Sequence, residues 1–155
     1  MKILLSFLFL LSLNVNAQPK NQGHGRQYRD VFRYLLKQHK SIKRDVVLID
    51  RGVKTYTYSH DSRVAFYIKK HVHQMKGLVE SGRRIRNWDP LFSAIFDHYQ
   101  LIEMNVFVKD KGVEVVETSY DPFVAKLIQE HANVVSLFVR NGPAEAHRSH
   151  PVPVR

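Results

Sequence analysis

The sequence contains no cysteine. That excludes disulfides, thiolate metal ligands, a cysteine nucleophile and covalently attached c-type haem. A chain of 155 residues built this way draws its stability from packing, or from packing plus a ligand. Long apolar runs are also scarce. The one that exists, Ile3–Leu13, is too short for a spanning helix, which needs roughly 20 apolar residues. No second run follows, so no transmembrane segment is expected. No five basic residues stand in a row. The local clusters at 42–44 ("IKR") and 82–86 ("GRRIR") have no interleaved aromatics to stack bases, so no nucleic-acid partner is expected. GxSxG, HExxH, a P-loop and GxGxxG are all missing, which leaves an enzyme the less favoured class.

What is present begins with a leader. "MKILLSFLFLLSLNVNA" pairs a basic start at Lys2 with an apolar stretch and a small-residue exit, Val15-Asn16-Ala17. This is the pattern of a secretory signal peptide cleaved after Ala17, and it predicts a periplasmic or secreted protein. The formal net charge is +10, and Lys2 is the leader's only contribution to it. Such a charge favours anionic partners, for instance envelope polymers or lipid headgroups.

The remaining chain repeats itself. Gly52–Gly82 aligns with Gly112–Gly142 at a constant offset of sixty, pairing Ser59 with Ser119, Asp61 with Asp121, Ile68 with Ile128 and His71 with His131. Asp30–Ile42 aligns with Asp89–Leu101 one residue out of that register. Each unit reads helix, hairpin, helix. Asp30, Asp89, Asp61 and Asp121 are expected N-caps, with Pro90 and Pro122 at the first helical position. Asp50-Arg51-Gly52 and Asp110-Lys111-Gly112 mark hairpin turns, with glycine supplying a positive φ. Gly82 and Gly142 are expected to close the second helices. The predicted fold is α+β: two tandem αββα repeats with pseudo-twofold symmetry, four helices packed with a small antiparallel sheet. The domain plan is a leader over 1–17, a flexible segment over 18–28, one domain over 29–142 with repeats 29–82 and 88–142, and a flexible tail over 143–155.

Histidines stand on the core-facing stripes. In the second helices the series are Val64, Ile68, His71, Met75, Leu78 and Val124, Ile128, His131, Val135, Phe138. In the first helices they are Phe32, Leu36, His39 and Leu91, Ile95, His98. A single core histidine normally bonds a carbonyl or carboxylate. Four in one core point to convergence, because an unpartnered buried polar group costs about 1–3 kcal/mol. His39, His71, His98 and His131 are therefore candidate metal ligands, with Met75 as a soft fifth. A His/Met set suits copper, a four-histidine set suits zinc or iron, and His/His or His/Met suits non-covalent haem b. Trp88 either anchors a helix start or lines a cofactor pocket. His73 points off the stripe, His60 sits in a loop, and His24, His147 and His150 fall in the expected flexible ends, where they read as solvated.

"ETSYDPFVAKLIQEHANVV" and "HVHQMKGLVESGRRIRNWDPLF" resemble a family of small exported bacterial proteins, uncharacterised in function. That family carries a duplicated TSxDPxVAxxIxxH unit around a central GxxIRxWDPLF segment. The resemblance spans about Asp30–Gly142 and implies export and the duplicated unit, but no activity. The first copy departs from it, reading "YSHDSR" at 58–63. The expected function is binding of a transition metal or non-covalent haem through the core histidines. The competing reading is a non-catalytic structural or interaction module whose basic surface meets an anionic envelope partner.

Overall fold

The computed structural model describes residues 23–155. The expected leader over 1–17 and the segment up to residue 22 lie outside them. Helix α1 (Gly23–Lys37) leads through a 3-10 turn (His39–Ser41) into strands β1 (Lys43–Ile49) and β2 (Gly52–Tyr58), then helix α2 (Ser62–Glu80). Helix α3 (Pro90–Asp97), a second 3-10 turn (Tyr99–Leu101), strands β3 (Glu103–Lys109) and β4 (Gly112–Thr118) and helix α4 (Pro122–Asn141) follow. The described residues are α+β, with four α-helices and a four-stranded antiparallel sheet of order β1-β2-β4-β3.

The two long helices start where local chemistry dictates. The Asp61 carboxylate accepts from the backbone N–H of Arg63 and Val64, and Asp121 does the same for Phe123 and Val124. Each such cap stabilises its helix by about 1 kcal/mol. Ser59 and Ser119 in turn accept the N–H of Asp61 and Asp121, each at 3.1 Å, fixing the chain's approach to the helix. Helix α2 stops in a Schellman turn: Gly82 N–H bonds Val79 O and Arg83 N–H bonds Leu78 O.

Two expected caps differ. Asp30 lies inside α1, because that helix begins at Gly23, seven residues earlier; its carboxylate meets Arg33 at 3.6 Å on the surface. Asp89 occupies the cap position of α3 but caps nothing, since its carboxylate is held by other partners. The hairpin glycines also play a different part. The rise of β2 beside β4 brings a carbonyl against each one: a Cβ on Gly52 would collide with Glu117 O, and one on Gly112 with Thr57 O. Glycine is needed at both for close approach of the central strands; the expected positive φ is met at Gly52, at 158, and not at Gly112.

In the central pairing Thr55 stands opposite Val115. Period-two alternation sends Val53, Thr55 and Thr57 of β2, and Val113, Val115 and Glu117 of β4, to the helix-covered face. Helix α2 packs over β4 and β3, and α4 over β2 and β1. The buried core is divided. Val31, Leu35, Val64, Ile68, Val113 and Val115 form one cluster; Leu36, Leu91, Phe92, Leu127, Val134 and Phe138 form another. A cavity lies between them.

Beyond α4 the expected flexible tail is folded. Gly142–His147 is a 3-10 helix, and Glu145 and His150 are buried. The tail is ordered by pairing with residues far back in the sequence, which no local pattern announces.

Candidate functional site

The cavity has a volume of about 1070 Å³. Its floor is the inner face of the sheet, its walls are α1, α2 and α4, and its rim is the connection between α2 and α3. Most of the lining is apolar, with a few polar groups aimed in, the usual make-up of a small-molecule site.

His71 and His131 line it from α2 and α4. The His71 ring stacks on Phe32 with centroids 5.7 Å apart, and its Nδ1 is buried with no hydrogen-bond partner. His131 meets the edge of Phe92 at 5.3 Å. Burial pushes both imidazoles down to about 4, so both are neutral at pH 7; the positive charge of Arg44 and the neighbouring His71 act in the same direction on His131. Met75, one turn beyond His71, lines the same wall.

The other two candidate ligands are engaged elsewhere. Helix α1 ends at Lys37, so His39 belongs to the following 3-10 turn and not to the helical stripe. Its Nδ1 donates to Val139 O at 2.9 Å, while its ring still borders the cavity. His98 caps the end of α3, donates from Nδ1 to Ala94 O at 2.8 Å and packs on Phe123, away from the cavity. The structure thus brings His39, His71, Met75 and His131 to one cavity and leaves His98 outside. Among the described residues, no three His, Cys, Asp or Glu side chains are grouped to hold a metal ion. Trp88 lies on the cavity rim, 56% exposed, with the Arg86 guanidinium 4.3 Å from its ring centre.

Two groups on the floor went unread in the sequence. Arg44 of β1 and Glu117 of β4 both point into the cavity. Burial lowers Arg44 to about 10, against the opposing pull of Glu117, which still leaves it charged at pH 7. Burial raises Glu117, with Arg44 opposing. A strict period-two reading of β4 would have flagged Glu117, which shares the inward register with the buried Val113 and Val115; β1 gives no such signal, since Val46 and Leu48 in the register of Arg44 are exposed.

A second polar centre lies behind the rim. His150 is buried between Asp89 and Glu145: Nδ1 is 2.7 Å from Asp89 Oδ2 and Nε2 is 3.1 Å from Glu145 Oε1. Burial alone would raise Asp89, but hydrogen bonds from His150 and Arg86 carry it below the usual range. Glu145 is lowered by Asn141, against the effect of burial, with His150 and Arg148 assisting. Arg86 ties the rim to this centre. It donates to Asp89 Oδ2, Ala146 O and Arg148 O. Its own backbone is left-handed, at φ 50, a conformation that costs energy for a residue with a side chain and persists where surrounding bonds enforce it.

Comparisons with protein-family models, with curated proteins and with solved structures give no match.

Proposed function

We propose that the protein binds a largely apolar small molecule in the cavity between its helices and its sheet, and that non-covalent haem b is the ligand this wall suits best. The observation that carries the reading is one cavity of about 1070 Å³ with the repeat mates His71 and His131 on its walls. Both rings are neutral at pH 7, the form that ligates metal, and Met75 adds a thioether on the same wall. A bare copper, zinc or iron ion needs several converging protein donors, and none of the described residues form such a group. Haem supplies four nitrogens of its own and asks the protein for one or two axial ligands. The residues therefore fit haem more readily than a naked ion. When bound, haem would bring redox or gas-binding chemistry; the chain would contribute axial donors and a cavity that excludes water.

We read the two halves, 29–82 and 88–142, as copies of one αββα unit about a pseudo-twofold axis. The support is the opposition of Thr55 to Val115, sixty residues on, and the shared caps at Asp61 and Asp121. On that reading the cavity straddles the axis, and one ancestral histidine became two. Among the described residues no helix is long and apolar enough to cross a membrane. With the sequence's leader, we read the binding as taking place outside the cytoplasm.

The test is titration of the purified protein with haem. A shifted Soret band at one haem per chain and a raised melting temperature are expected, both abolished in a His71→Ala/His131→Ala double variant. If haem and copper each leave the visible spectrum and the melting temperature unchanged, the haem and metal reading is wrong.

A further inference from the structure

Arg44 is a half-buried cation that bonds no carboxylate among the described residues. Its guanidinium donates from Nη1 to Thr57 Oγ1, while its Nε is buried with no partner at all. No ion pair engages it among the described residues. The other three cavity arginines are differently placed: Arg29 is exposed on α1, Arg84 bonds Asp97 and Ser93 at the rim, and Arg86, though its Nε is likewise unpartnered, is held by Asp89 and two carbonyls. Arg44 stands on the floor, below apolar walls, in the same cavity as the also unpartnered Nδ1 of His71 on the α2 wall. Glu117 is the one carboxyl among the lining residues; burial raises it and the attraction of Arg44 opposes that rise, but the two side chains form neither a hydrogen bond nor an ion pair.

A charge left in low-dielectric surroundings is costly unless something pairs with it, and a buried N–H without an acceptor adds to that cost. In a cavity of this size the missing acceptor belongs with an occupant. From this arrangement we infer that the ligand is an amphipathic carboxylate, whose anionic oxygens are received on the cavity floor by Arg44 while its apolar body fills the space under α1, α2 and α4. The inference rests on the cavity reading and deepens it. A guanidinium presents paired donors in a plane that matches a carboxylate, which makes arginine the suited residue for such a role. In haem the carboxylate is a propionate; in a fatty acid it is the headgroup.

The experiment compares two acid–ester pairs: haem b against its dimethyl ester, and a fluorescent polyene fatty acid against its methyl ester. Each ester keeps the apolar body and removes the charge. The wild-type protein is expected to bind the acid of at least one pair roughly tenfold or more tighter than its ester, the scale of one charge-assisted hydrogen-bonded contact. Which pair shows the preference identifies the source of the carboxylate. Arg44→Gln is expected to erase that preference and leave ester affinity unchanged, so ester binding doubles as the control for folding. Arg44→Lys keeps the charge and is expected to keep most of the preference. Equal affinity for acid and ester in both pairs, or a preference that survives Arg44→Gln, overturns the carboxylate assignment while the cavity reading stands. If none of the four compounds binds, the cavity reading falls, and this inference with it.

Discussion

Two buried imidazole settings stand side by side in this protein, and they are opposites. His150 is saturated: each ring nitrogen meets a carboxylate, and Arg86 and Asn141 steady those carboxylates from behind. His71 and His131 sit on the walls of a cavity, with the Nδ1 of His71 bonded to nothing. Saturation is what a structural residue looks like, because every bond lost in burial has been replaced. Open valence beside empty volume is what a binding residue looks like, because the missing bond awaits a ligand. The contrast separates two roles that composition alone leaves merged.

The largest effect should come from the saturated side. His150→Ala removes the common partner of Asp89 and Glu145, and breaking a buried charged network in this way costs about 3 kcal/mol or more. Urea denaturation of the variant checks it; an unchanged midpoint would reverse the structural assignment. Acid comes next. His71 and His131 titrate near 4 when folded and near 6.5 when unfolded, so between those values the unfolded chain binds more protons. Stability is therefore expected to fall as pH drops from about 6.5 to about 4 and to gain nothing from these groups above that window. A His71→Phe/His131→Phe variant should be flatter through the same range. The depressed carboxyls of Asp89 and Glu145 should keep their own loss, which appears as pH falls through their folded pKa values. Loss of the Asp121 cap by substitution to Ala should cost about 1 kcal/mol and spare ligand binding, which thermal melts with and without haem would show. Smallest in stability is Met75→Leu, a volume-conserving swap expected to cost under about 1.5 kcal/mol. If Met75 ligates haem iron, that variant changes the visible spectrum far more than the melting curve.

Much of this contrast was legible before any coordinates. The caps at Asp61 and Asp121, the stops at Gly82 and Gly142 and the two hairpins are local events, written within a few residues of where they act. The positions of His71 and His131 followed from helical periodicity, since both helices run well past them. The same periodicity misplaced His39 and His98, because α1 and α3 end before or at those residues and the chain tightens into 3-10 turns. His150 gave no local signal. Its burial depends on Asp89, sixty-one residues earlier, and a tail rich in proline with no period reads as unstructured until that partner is known. Arg44 and Glu117 were hidden for another reason: charges on strands are ordinarily solvated, and only the register across β1, β2 and β4 turns these two inward.

Trp88 gives the cavity its own optical reporter. It is the only tryptophan in the chain, it stands on the rim, and a guanidinium lies against its ring. Its emission therefore comes from one known place, with no background from a second indole. An apolar guest that dries the rim would shift that emission to the blue; a haem would quench it by energy transfer. The kind of occupant can thus be read from unlabelled protein by the colour and intensity of a single residue.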